Sequence, residues 1–126
     1  MVRQDGRMTP ETSLIAAVDA LSDRALEVRA LFSEFERNAY GHEWGISELM
    51  AGFVVDVGDL TRLVMASQGS RHVDRVDEGL EHELSDCLWS VLVLAGRLGV
   101  DLGAGFVQTM DDLEAKLSGT TSQDER

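Results

Sequence analysis

The sequence predicts an all-α protein, a bundle of four or five helices. Apolar residues recur at three- and four-residue intervals over long windows, the period of a helix with one buried face. A single proline, Pro10, interrupts 126 residues, whereas a turn-rich β fold calls for more breakers. Helix start and stop residues also fall at the edges of the periodic stretches.

Residues 1–8 read as a flexible arm and 9–117 as one helical domain. Thr9 followed by Pro10 is a start signal: a hydroxyl to cap free amides, then proline where its missing N–H costs nothing. Glu11 places negative charge where the helix dipole favours it. From there Leu14, Ile15, Val18, Leu21, Ala25, Val28, Leu31, Phe32 and Phe35 mark one long amphipathic helix to about Arg37. "NAYGHEWG", 38–45, breaks the period with two glycines and reads as a loop. Ser47 is the expected cap of a second helix to about Ser67, with Gly52 and Gly58 inside it suggesting close helix–helix approach. A polar loop, 68–79, precedes a third helix over roughly 78–98 that ends at Gly99, a residue suited to the left-handed cap. The second half of that helix is apolar nearly all round, as a central helix should be. Asp101 opens a fourth segment through Leu102, Phe106, Val107, Met110, Leu113 and Leu117, and 118–126 reads as a flexible tail.

Length and charge bound the function. The chain suffices for one domain with one core. A net charge of −12 repels phosphate backbones, so nucleic acid is not an expected partner. The longest strongly apolar run, 87–95, falls short of the ~20 residues that span a bilayer, and residues 1–10 carry no secretion-type apolar run. No membrane partner is expected, and the expected location is the cytoplasm. One cysteine, Cys87, excludes an internal disulfide and suits a reducing compartment; it reads as an inert, buried thiol.

The informative departures from apolar patterning are two acidic pairs. Asp56 and Asp59 sit inside "GFVVDVGDLTRLV", and Glu83 and Asp86 lead into the most apolar run of the chain. Residues three apart on a helix lie about 60° apart around its axis, so each pair projects to one side. Carboxylates packed among apolar neighbours are costly unless partnered. Arg62 can pair with Asp59, leaving the others to seek compensation. A hard divalent cation with oxygen ligands, Mg²⁺ or Mn²⁺, satisfies all four at once. A polar, water-filled seam between helices is the other reading of the spacing.

"DVGDLTRLV", a polar loop and "HELSDCLWSVLVLAGRLGVDL" together resemble the MazG-like all-α nucleotide pyrophosphohydrolases, over about residues 44–113. Their pattern is E-E-x-x-E on one helix and E-x-x-D on the next. The resemblance implies a MazG-like helical domain completed by dimerisation. It also implies Mg²⁺-dependent hydrolysis of a nucleoside triphosphate to the monophosphate and pyrophosphate. By position, Asp56 and Asp59 fall on the last two acids of the first motif, and Glu83 and Asp86 on the second. These four are the implied metal ligands, with Glu83 also orienting the attacking water. Val55 stands at the first acid of the first motif, and Thr109 and Leu113 where some members carry Lys and Asn. These departures leave open a non-catalytic nucleotide- or protein-binding module of the same fold. Trp44, Arg71, Arg75 and His82 are candidate nucleotide contacts: Trp44 for stacking on a base, the arginines for phosphate, and His82 as a partner of Asp86. Trp89 reads as a core or dimer contact. The expected assembly is a homodimer or a dimer of dimers.

Overall fold

The computed structural model describes residues 6–69 and 74–123. Among them the chain is all-α, with four helices and no strand: α1 Pro10–Tyr40, α2 Ile46–Ser67, α3 Val76–Leu98 and α4 Leu102–Gln123. The expected start of α1 is present, with Thr9 Oγ1 accepting the Thr12 N–H at 3.2 Å and proline in the first turn. α1 ends three residues beyond Arg37 because Gly41 takes the left-handed conformation (φ 80°) and its N–H closes on Arg37 O at 3.0 Å.

Three sequence expectations need correction. Ser47 does not cap α2. The helix starts at Ile46 with Gly45 as cap, and Glu48 reaches back to accept the Gly45 N–H at 3.4 Å. The tail expected from 118 is helical through Gln123: no proline stops it, and modest propensity alone rarely does. Gly52 and Gly58 do not mark close helix contact, since a side chain at 58 would meet open space and one at 52 only the Trp44 ring. The tight approaches lie elsewhere. Gly103 of α4 faces the Ile15 backbone of α1, where an added Cβ would stand 3.3 Å from the Ile15 carbonyl oxygen.

α3 is central, as its apolar second half predicts: α2 packs on one side and α1 on the other, while α4 rests chiefly on α1. The core is small. Ala25, Leu49, Leu92 and Val93 form its buried centre, with Val18, Trp89, Leu94 and Leu102 packed against it. Trp89 belongs to this core, its indole N–H donating to Ala25 O at 3.1 Å. Much apolar surface stays open, including Leu31, Phe35, Val54 and Val55. No single helix among the described residues is long and apolar enough to cross a membrane.

Candidate metal centre and adjoining aromatic pocket

The close packing of α2 on α3 brings the two acidic pairs together. Carboxylate oxygens of Asp56, Asp59 and Glu83 lie within 4.8 Å of one another, and so do ligand atoms of His82, Glu83 and Asp86. Glu83 is common to both triads. The sequence-derived set is therefore assembled around one residue rather than as a symmetric square, with His82 beside it. All four acids are half-buried.

The electrostatics fit a cluster short of positive charge. Burial, then the neighbouring Asp86 and Asp59, push the Asp56 carboxyl up from the usual carboxylate range, against a smaller opposing effect of His82. Glu83 is pushed up likewise, first by burial and then by Asp59, Asp56 and Asp86. Glu83 Oε2 is sealed from solvent with no hydrogen-bond partner, the sole such side-chain atom among the described residues. A buried acceptor of this kind costs free energy unless something fills its valence. Compensation from the protein is partial. Arg62 stands 3.7 Å from Asp59 on the exposed side, and His82 Nε2 lies 3.1 Å from Asp86 Oδ2. That histidine pairing is the one the sequence suggested. Cys87, half-buried rather than buried, has its thiol pushed up by burial and by the same acids, which keeps it protonated and unreactive. Oxygen donors at this spacing, with one left unsatisfied, suit a hard divalent cation.

Asp56 also lines a pocket of about 250 Å³ between α1, α2 and α3. Six of the chain's seven aromatic residues border it: Phe32, Phe35, Tyr40, Trp44, Phe53 and Trp89. Trp44, a candidate stacking residue, is thus placed beside the acids. It is held there by its backbone N–H, which donates to Glu36 Oε1 at 2.9 Å, while Arg37 ties the same loop through Glu43 at 3.0 Å. Phe32 and Trp89 contact each other with ring centroids 5.6 Å apart. The other sequence candidates fare differently. Arg75 caps the start of α3 in a left-handed conformation (φ 55°) and pairs with Glu78, so it is not brought into the pocket. Arg71 lies outside the described residues.

Buried polar residues that were not expected from the sequence also line this pocket. Arg29, Glu36 and Ser90 line it, all buried, and Arg29 pairs with Glu36 while its Nε–H donates to Ser33 Oγ at 3.3 Å. A signal was present: Arg29, Ser33 and Glu36 fall at i, i+4 and i+7, polar residues threaded along the Phe32/Phe35 face of α1.

Comparison with protein-family models, with curated proteins and with solved structures finds no match to this chain.

Proposed function

We propose that this chain is a Mg²⁺-dependent nucleoside triphosphate pyrophosphohydrolase of the MazG-like type, with Mn²⁺ as a substitute ion. Asp56, Asp59, Glu83 and Asp86 are its ligands, and the assembly is a homodimer. The observation that carries this reading is Glu83, the shared member of two oxygen-rich triads, whose Oε2 is sealed and unpartnered. Asp56, one of the four acids, also lines the aromatic pocket, so a cation-binding end and a base-stacking end would adjoin at that residue. A triphosphate with an aromatic base needs both.

A divalent cation bound by these acids supplies charge neutralisation for the phosphoryl oxygens. The chain's own groups do the rest. Trp44 and the phenylalanines hold the base, which fixes the distance from base to carboxylates. Glu83 orients a water toward the α-phosphorus and accepts its proton. The water oxygen bonds to the α-phosphorus, the bond to the α–β bridging oxygen breaks, and pyrophosphate leaves with that oxygen. The nucleoside monophosphate remains.

The test is pyrophosphate release from a panel of ribo- and deoxyribonucleoside triphosphates with Mg²⁺ or Mn²⁺. Glu83→Gln should lower turnover about a thousandfold, as expected for loss of several kcal/mol of transition-state stabilisation. The same variant should lose the rise in melting temperature that Mg²⁺ gives the wild type over chelator. Retention of more than about a tenth of the wild-type rate by Glu83→Gln would remove this residue from its role.

A second reading, a binding module without turnover, is favoured by one position. Val55, at the first acid of the first motif, is exposed and apolar. Metal-dependent nucleotide binding with no pyrophosphate released from any substrate would select it.

A further inference from the structure

We propose that His82, with Glu83 and Asp86, forms a mixed nitrogen and oxygen site for a borderline divalent ion of the Zn²⁺ class, and that this ion competes with Mg²⁺ for the two acids. The competition rests on the reading above, which gives Glu83 and Asp86 to Mg²⁺; the site itself stands on geometry. Its starting point is that the acidic centre is not uniform in chemistry. One triad, Asp56, Asp59 and Glu83, offers oxygen only, whereas the other, His82, Glu83 and Asp86, includes an imidazole. Hard Mg²⁺ takes oxygen donors, and imidazole suits Zn²⁺ and its neighbours in the first transition row.

α3 builds the second triad. His82 and Asp86 stand one turn apart, so their side chains meet on one face of the helix, and His82 Nε2 lies 3.1 Å from Asp86 Oδ2. A zinc ion with bonds of ~2.0–2.2 Å holds two neighbouring ligand atoms about 3.3–3.6 Å apart in a tetrahedral site. The pair is close to that bite, and the metal takes the place of the proton that an imidazole shares with a carboxylate. Glu83 completes the group, one ligand atom of each residue lying within 4.8 Å of the others.

An exposed histidine–aspartate pair alone does not account for this arrangement. Such a pair adds little to stability, and it leaves Glu83 Oε2 sealed and unpartnered, an acceptor that an ion would satisfy. The histidine itself is open: its side chain is 69% exposed and lines a cleft of about 360 Å³ with Glu78, Glu81 and Ser85. An ion held there by three side chains keeps a position for water, the pattern of an open zinc site. Zinc so bound takes two of the four acids assigned to Mg²⁺. Glu83 is one of them, so the carboxylate that orients the water is withdrawn, and the softer ion inhibits.

The test is to strip the protein of metal with chelator and titrate it with Co²⁺, whose visible absorption reports its coordination. The wild type should take up one Co²⁺ per chain with the intense bands of a four- or five-coordinate site. Zn²⁺ should displace it, and added Mg²⁺ should raise the Co²⁺ needed for half-saturation. A group that merely holds a ligand in place is worth about 10–100-fold in metal affinity, so losing a ligand in His82→Ala should cost at least about tenfold. Being exposed, His82 can be removed without opening the core. The variant should keep the Mg²⁺-induced rise in melting temperature, which separates this site from the oxygen-only triad. Asp59→Asn should do the reverse, weakening the Mg²⁺ response more than Co²⁺ uptake. In turnover, one equivalent of Zn²⁺ should slow pyrophosphate release by the wild type and not by His82→Ala. Equal Co²⁺ affinity in wild type and His82→Ala overturns the proposal, as does Co²⁺ uptake indifferent to Mg²⁺. His82-dependent Co²⁺ uptake that Mg²⁺ opposes, without pyrophosphate release from any triphosphate, would keep the site and discard the hydrolase.

Discussion

At the scale of single residues the acidic centre stores a pH dependence with a definite sign. Asp56 and Glu83 titrate above the usual carboxylate range in the fold, and near pH 4 in the unfolded chain. Between those limits the folded state binds more protons than the unfolded one, so their contribution to stability falls as pH rises through the window. In chelator, lowering the pH from neutral toward the ordinary carboxylate range should therefore raise the melting temperature of the wild type relative to an Asp56→Asn, Glu83→Gln double variant. Saturating Mg²⁺ should shrink that slope, because the cation competes with the proton for the same oxygens. A wild-type-minus-variant difference that stays flat with pH in chelator would contradict the shifted carboxyls. Spacing made this centre legible: three-residue offsets put Asp56 with Asp59, and Glu83 with Asp86, wherever the helices run. The buried polar lining of the pocket was not legible in the same way. Glu36 acts on Trp44 across a loop with no periodicity, and that loop's conformation depends on Gly41 and on the pairing of Arg37 with Glu43.

At the scale of elements, the glycines separate propensity from packing. Gly58 lies in α2 with open space where a side chain would stand, whereas Gly103 in α4 lies against the Ile15 backbone. A helix-interior Gly→Ala exchange gains roughly 0.5–1 kcal/mol when nothing obstructs the methyl. Gly58→Ala should therefore stabilise by about that amount. At 103 the obstruction is backbone, which cannot rotate away as a side chain can, and repacking costs typically ~1–3 kcal/mol. Gly103→Ala should thus be neutral to destabilising by about 2 kcal/mol. Urea melts of the two variants check the ordering; an equal gain at both positions would mean that α4 does not approach α1 this closely. Sequence alone located all four helices, because apolar period and capping residues survive in any context. It misassigned which glycines sit at contacts, since a glycine's neighbour belongs to another helix whose rotation the local pattern does not encode. The α2 cap also lies at Gly45 rather than Ser47, and the Glu48 side chain reaches back to accept the Gly45 N–H.

At the scale of the whole molecule, the packing order α2–α3–α1–α4 leaves the bundle open. The open apolar surface is concentrated: Val28, Leu31, Phe32 and Phe35 line one apolar groove on α1, and Leu31 is 65% exposed. Because Phe32 and Phe35 border the aromatic pocket as well, a second copy seated on this groove would lie alongside the base-binding end of the proposed site. Leu31→Glu distinguishes the two possible states of the molecule. In a monomer, an exposed leucine away from the core changes stability by no more than about 0.5 kcal/mol when replaced. In a dimer, the same change puts a charge into an apolar contact and its symmetry mate, so one substitution acts twice. Light scattering on the eluting protein should give twice 13.8 kDa for the wild type and a concentration-dependent fall toward 13.8 kDa for Leu31→Glu. The variant should also lose melting temperature on dilution, which a monomer cannot do. A wild type that elutes at 13.8 kDa across micromolar concentrations would leave this surface without a second copy to cover it.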